Sequence, residues 1–93
     1  MGKAKKPKPA VAQEVIEMID GGQASLCDVA HRAIKGNFLK KEDLPVSAQA
    51  QSQIMQGFSD AVTGSTVAVV MAAIRSKALE VAPNSPTTPA GAK

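Results

Sequence analysis

The side chains with the most reactive chemistry stand together in one short stretch of the sequence. Cys27, Asp28 and His31 are close neighbours, and the chain has one cysteine and one histidine in all. On a helix, positions i and i+4 share a face, so Cys27 and His31 would supply two metal ligands. A tetrahedral site needs four, and no second cysteine or histidine can complete it within one chain. We therefore expect a buried structural cysteine and a surface histidine, with no metal and no cofactor.

Two further signatures of catalysis lead to the same expectation. Asp28 with Glu42 or Asp43 would be a candidate carboxylate pair, but no rule of spacing brings these side chains together. Gly21-Gly22 lacks the downstream glycine and the Lys-Ser/Thr pair of a phosphate-binding loop. The sequence therefore predicts no catalytic residue, and we expect a protein that is not an enzyme.

The stretch around Cys27 resembles part of a DNA-binding unit. Ser25–Ala30 is similar to the opening helix of bacterial repressor helix-turn-helix proteins, which implies a short turn and a recognition helix after it. The chain departs from that pattern, because Lys35–Phe38 leads into a proline-containing linker. The next predicted helix carries Gln49, Gln51, Gln53 and Gln56 but no lysine or arginine. Contacts with phosphates would then depend on the N-terminal lysines alone.

Charge is distributed unevenly along the chain. The formal net charge is +3, yet residues 10–92 hold six basic and eight acidic residues, a balance of −2. The basicity lies in residues 1–9, which carry Lys3, Lys5, Lys6 and Lys8 and no acid. This segment is predicted to be a disordered basic arm. In the alternative in which the protein binds nucleic acid, these four lysines would contact the phosphates.

The other end of the chain has the composition of a tail. Residues 82–93 contain Pro83, Pro86 and Pro89, a spacing that favours polyproline II over helix and predicts disorder. Residues 10–81 remain as one domain. No apolar run reaches the roughly 18 residues of a membrane span. With a single cysteine, we expect a cytoplasmic protein, or one carried in an assembled particle.

The first half of the domain shows helical periodicity. Apolar residues from Val11 to Ile19 predict a helix over about 10–20 that ends at Gly21-Gly22. Ser25 begins a capping pattern for a second helix over roughly 26–35, which Gly36 and Asn37 end. The linker up to Pro45 is predicted to anchor itself in the core through three apolar residues: Phe38, Leu39 and Leu44.

The second half is less uniform. Ser47 can cap a third helix that is predicted to run to about Thr63. Residues 64–81 have three possible structures: a separate helix, a continuation of the third helix, or a strand at 66–71. We prefer a helix, since the apolar pattern outlasts a usual strand and basic residues stand near its end.

Small residues in this half predict a self-association surface. Gly57, Ala61 and Ser65 recur at four-residue steps, which on one continuous helix would form a stripe where another helix can approach closely. Ala68 and Ala72 extend it. The helix is also apolar nearly all round, so four larger residues are assigned to the same surface: Val67, Val70, Met71 and Ile74. Alternatively, these small residues pack against the first two helices of the same chain.

A second local resemblance falls in the same region. Asp60–Thr63 followed by Ser65, Val67, Val69 and Val70 is similar to a stretch near the N-terminus of the small proteins that polymerise into bacterial R-bodies. Residues 71–81 depart from that family's proline- and glutamine-rich continuation, so the resemblance covers only about eleven positions.

Together these patterns predict a small all-α domain of three to four helices. We expect it to act through protein–protein interaction and self-assembly as a homo-oligomer, in the style of a phage or bacterial structural subunit, inhibitor or accessory factor. The alternative is a nucleic-acid-binding module that uses the N-terminal lysines.

Overall fold

The computed structural model describes residues 6–82, and that part of the chain is entirely helical. Its four α-helices are α1 (Pro9–Gly21), α2 (Leu26–Lys35), α3 (Ala48–Met55) and α4 (Ser65–Val81). Short 3₁₀ turns at Lys41–Asp43 and Ser59–Ala61 flank α3. The described residues form no strand, which confirms the prediction of a small all-α domain and favours the helix over the strand at 66–71.

Three of the helices contact one another and form what we call the three-helix layer: α1, α2 and α4. α3 packs on α2, beside this layer. The described part of the chain is flat, with extents of 42 × 39 × 17 Å. The layer is joined by buried apolar side chains from all three helices: Ala12, Val15, Ile16, Val29, Ala30, Ala33, Val70, Ile74 and Ala78. Each larger one contributes about 1.5–3 kcal/mol of apolar transfer free energy.

α1 begins and ends where its sequence predicts. Pro9 occupies the first turn, where its missing N–H costs nothing. Gly22 adopts the left-handed conformation after the last turn, with φ of 74°, and its N–H donates to the carbonyl oxygens of Met18 and Ile19. The glycine pair therefore turns the chain towards α2.

α2 is bounded by the caps that the sequence predicts. The Ser25 hydroxyl accepts a hydrogen bond from the Asp28 N–H at 3.1 Å. At the other end Asn37 has φ of 64°, and its N–H donates to Ile34 while that of Phe38 donates to Ala33. This pair of bonds is a Schellman ending. It directs the Phe38 ring into the core.

The linker between α2 and α3 is anchored by apolar side chains, as predicted. Phe38, Leu39 and Leu44 are all buried. Between them the Asp43 carboxylate accepts a hydrogen bond from the Lys40 N–H at 2.9 Å, which fixes the 3₁₀ turn. The linker is therefore a packed segment with a defined conformation.

α3 is shorter than its sequence pattern predicts. Ser47 caps it, since its hydroxyl accepts from the Ala50 N–H at 3.1 Å. The prediction that the helix runs to about Thr63 is wrong, because it ends at Met55. Gly57 has φ of 92°, and the N–H groups of Gly57 and Phe58 donate to Ile54 and Gln53, a second Schellman ending. Only glycine reaches this backbone conformation without strain.

Candidate interaction surface

α4 is a separate helix with two apolar sides, and only one of them is covered. Val70, Ile74 and Ala78 follow one another at four-residue steps and have no exposed surface. They face α1 and α2 in the core. Val70 and Ile74 are therefore removed from the predicted association surface, because they already pack within their own chain.

The opposite side of α4 faces solvent. We call it the outer face of α4 and define it by five exposed residues: Ser65, Ala68, Val69, Ala72 and Ser76. Val69 is 56% exposed, while its neighbour Val70 is fully buried. Sequence alone does not say which of the two valines faces water, because both fit the same apolar run.

The remaining residues of the predicted surface lie at its edges or away from it. Val67 and Met71 are half-buried between the two sides of α4. Gly57 and Ala61 precede α4, and the positive φ of Gly57 breaks the helix between them and α3. The predicted stripe of Gly57, Ala61 and Ser65 on one helix therefore does not exist. Ser65, Ala68 and Ala72 are the predicted small residues that the structure brings together.

The outer face carries no charge over its first three turns. Between Asp60 and Arg75 the sequence has no ionisable side chain, so neither the exposed nor the buried positions there are charged. An exposed helix side usually carries charged and polar residues opposite its apolar stripe. On this face alanine, serine and valine take their place.

A surface ion pair also joins α4 to α1. The Arg75 guanidinium donates to both carboxylate oxygens of Asp20, with Nε–Oδ1 and Nη2–Oδ2 distances of 2.8 and 3.0 Å. The hydrogen bond from Arg75 lowers the pKa of Asp20 below its ordinary value, and the same bond raises the pKa of Arg75. This bidentate geometry restricts rotation of α4 about its axis. It therefore helps to keep the outer face turned to solvent.

The reactive residues of α2 are not gathered into a site. Cys27 is 5% exposed and belongs to the core. His31 lies at the surface, where Nε2 donates to the Ile54 and Met55 carbonyl oxygens at 3.0 and 3.1 Å. The imidazole thus satisfies two carbonyl groups in the last turn of α3. Among the described residues, no cluster of three or more His, Cys, Asp or Glu side chains is placed to hold a metal ion.

The predicted basic arm is described only in part. Lys3 and Lys5 lie outside the described residues, while Lys6 and Lys8 are exposed and precede α1. The Lys8 N–H donates to the Gly36 carbonyl oxygen at 2.8 Å, and the Asn37 side-chain amide donates to the Lys6 carbonyl oxygen at 3.3 Å. Residues 6–8 are therefore attached to the end of α2. The predicted tail lies outside the described residues beyond Ala82.

Two kinds of contact in this structure have no sequence signal. The bonds from His31 to α3 and from Arg75 to Asp20 join residues that are distant in sequence. No periodicity or capping rule relates such positions. The exposed side of α4 has a signal, namely the absence of charge between Asp60 and Arg75, but that signal does not distinguish the covered side from the open one.

Comparisons of the chain with protein-family models, with curated proteins and with solved structures find no match. Over residues 6–82, no helix has the length and apolar character needed to cross a bilayer. The function proposed below therefore rests on the chain's own residues.

Proposed function

We propose that this protein is a non-enzymatic helical subunit that self-associates through the outer face of α4. The observation that carries the proposal is the uncharged exposed side of α4 from Ser65 to Ser76. Exposing the apolar side chains of Val69 and the neighbouring alanines to water costs free energy. Contact with a second apolar surface would bury these side chains and recover that free energy. The expected activity is binding, as a structural or accessory subunit.

A second copy of the chain fits this face better than a bulky partner. Ser65, Ala68 and Ala72 have short side chains, so the axis of another helix can approach closely and make many dispersion contacts. If two copies use the same face in a symmetric dimer, one substitution alters the interface in both copies. A protein partner of other sequence with a similar helix would use the same contacts.

Cys27 and His31 support the non-enzymatic part of the proposal. A nucleophilic thiol must be accessible and stand next to a base, whereas Cys27 is buried in the core. The Nε2 hydrogen of His31 is engaged with two backbone carbonyl groups. Both side chains therefore have structural roles that do not require catalysis.

The test is the molar mass in solution. Light scattering on the full chain is expected to give a mass that rises with concentration above the 9.6 kDa of one chain. Ala72→Glu places a carboxylate in the middle of the outer face and is expected to return the mass to that of a monomer. The matched control is Ala48→Glu, since Ala48 is also an exposed helical alanine but lies on α3.

The molar masses distinguish between no self-association, self-association through the outer face of α4 and self-association through another surface. A monomer at high micromolar concentration overturns self-association. An oligomer that Ala48→Glu weakens as much as Ala72→Glu would place the interface elsewhere. Circular dichroism of both variants shows whether each retains its helices.

A further inference from the structure

The outer face of α4 has a symmetric spacing. Ser65, Val69, Ala72 and Ser76 are all exposed and follow one another at steps of four, three and four residues. Because the steps are the same from either end, a second α4 that runs in the opposite direction can place its own four residues opposite these four. In that arrangement Ser65 lies opposite the partner's Ser76, and Val69 lies opposite the partner's Ala72.

Side-chain size favours this antiparallel arrangement. Val69 is 56% exposed and has the largest side chain of the outer face. Opposite the partner's Ala72 it meets a short side chain, so the two helices can approach closely and make many dispersion contacts. In a parallel pair in the same register, Val69 would meet the partner's Val69, and the two alanines would face each other across a gap.

The charges near the two ends of α4 are not those that the helix dipole favours. A helix is stabilised by acidic residues in its first turn and by basic residues in its last turn. α2 follows this rule, with Asp28 near its start and Arg32 and Lys35 near its end. In the described part of the chain, α4 has no side-chain cap at Gly64, no acidic residue in its first turn and no basic residue in its last turn, where Glu80 stands. Glu80 is therefore unfavourable for its own helix.

An antiparallel copy gives Glu80 a favourable position. The residue is exposed and follows Ser76 by one helical turn, so it continues the row of the outer face. Within residues 6–82 its carboxylate forms no ion pair. In the antiparallel register it lies at the amino-terminal end of the partner's α4, where a carboxylate is stabilising. A parallel copy would place Glu80 beside the partner's Glu80, and the two like charges would repel.

We infer that two copies of this chain pair through the outer face of α4 in antiparallel orientation, with Val69 against the partner's Ala72 and Glu80 at the amino-terminal end of the partner's α4. The orientation rests on the proposed function, because it specifies how the self-associating faces meet. A second copy supplies both the matching spacing and the acidic residue at the matching end.

Disulfide cross-linking measures the orientation. Ser65→Cys and Ser76→Cys are made separately in the full chain and are oxidised alone and as an equal mixture. In an antiparallel pair, the two copies of either cysteine are about 16 Å apart along the helix axis, too far for a disulfide. The mixture is therefore expected to give a disulfide-linked dimer, while each variant alone gives little. The native chain is the background, because its Cys27 is buried.

Glu80→Gln tests the charge. It is expected to raise the dimer Kd about fivefold at low salt, because each dimer loses two such contacts. The matched control is Glu42→Gln, which removes an exposed carboxylate outside α4 and is expected to leave the Kd unchanged. Since Glu80 is unfavourable for its own helix, Glu80→Gln should not lower the unfolding temperature of the monomer. An unchanged Kd for Glu80→Gln overturns the placement of Glu80 at the partner's helix end.

The molar mass from light scattering separates this orientation from self-association itself. A monomer at high micromolar concentration overturns both. A dimer in which Ser65→Cys cross-links to itself is parallel, which overturns the orientation while self-association stands. A dimer whose mixture gives no more cross-linked product than the single variants also overturns the orientation, and the response to Ala72→Glu then shows whether the outer face is still the interface.

Discussion

The three-helix layer and α3 are stabilised in different ways. In the layer, α1, α2 and α4 contribute fully buried apolar side chains such as Val15, Val29 and Ile74. α3 contributes Ala50 and Ile54 to the buried set, and polar groups supply much of the rest of its attachment. Gln51 donates to the Leu44 and Val46 carbonyl oxygens at 3.0 and 3.3 Å, and His31 donates to the last turn of α3.

This difference separates global stability from local stability. Removing apolar contacts in the layer should unfold the whole domain, because its three helices share one core. Removing a polar contact at α3 should open that helix while the layer stays folded, since among the α-helices α3 packs mainly on α2. Four sets of substitutions test how the two regions are stabilised.

The largest effect is expected from Val70→Ala in the layer. Two buried methyl groups are lost and a cavity remains, so the free energy of unfolding should fall by about 2 kcal/mol or more. Val69→Ala, one position earlier on the outer face, should change it by less than about 0.5 kcal/mol in the monomer. Urea denaturation followed by circular dichroism measures both. If both variants lose the same free energy of unfolding, the two sides of α4 do not differ in burial as described.

Gly36→Ala tests the close packing at the end of α2, where Gly36 lies against Val11 of α1 and Phe38 of the linker. A Cβ atom at Gly36 would lie 2.8 Å from Phe38 Cε2 and 2.8 Å from Val11 Cγ1. The neighbours must move, and such overpacking costs about 1–3 kcal/mol. Gly21→Ala is the control, because a Cβ there meets nothing within 4 Å and the residue is helical. It should instead stabilise the protein by about 0.5–1 kcal/mol. Thermal unfolding of both variants shows whether Gly36→Ala lowers the midpoint temperature and Gly21→Ala raises it.

Ser47→Ala and Ser25→Ala compare the same cap in the two regions. Each hydroxyl accepts one backbone N–H at 3.1 Å, so each loss should cost about 1 kcal/mol. The loss of Ser25 should lower global stability, whereas the loss of Ser47 should raise amide hydrogen exchange in α3 alone. If Ser47→Ala accelerates exchange in α1 and α4 to the same degree, α3 belongs to the layer's cooperative unit.

The smallest effect is expected at the surface pair of Asp20 and Arg75. The pKa of Asp20 is lower in the folded chain than in the unfolded one, so its stabilisation is present above the unfolded pKa. It is lost as the pH falls through the folded pKa. Asp20→Asn should therefore reduce stability slightly at neutral pH and leave it unchanged at low pH. Urea midpoints at both pH values, at low and high salt, measure this difference. A loss that is the same at both pH values would assign the effect to packing.

The helices of the first half could be predicted from sequence because local signals determine their ends. Ser25, Gly22 and Asn37 act on their own backbone, so their roles follow from residue type and position. The burial of Phe38, Leu39 and Leu44 follows from the cost of exposing large apolar side chains beside a proline. These are the features in which sequence and structure agree.

The end of α3 shows why the remainder could not be predicted. Apolar spacing continues from Ile54 through Phe58 to Val62, which suggests one helix. Gly57 allows the chain to turn instead, and Phe58 is left 54% exposed. At this helix end His31, from a different helix, also donates to the Ile54 and Met55 carbonyl oxygens. This hydrogen-bond donor reaches α3 only through the tertiary structure, so the sequence near α3 does not reveal it.

The same limit applies to the candidate surface. Residue type identified Ser65, Ala68 and Ala72, but the buried pair Val70 and Ile74 had the same apolar character. Which side of α4 is covered depends on where α1 and α2 lie.

The order of the helices along the chain has a consequence for the rate of folding. α1 and α2 are consecutive, but α4 reaches them only after a long connection, and Asp20 and Arg75 are 55 residues apart. Closing that loop costs entropy that grows with the logarithm of its length, by about 0.6 kcal/mol for each doubling. We expect the α1–α2 hairpin to form early and the docking of α4 to limit the rate. By folding onto α2, α3 shortens the free part of that loop before α4 arrives.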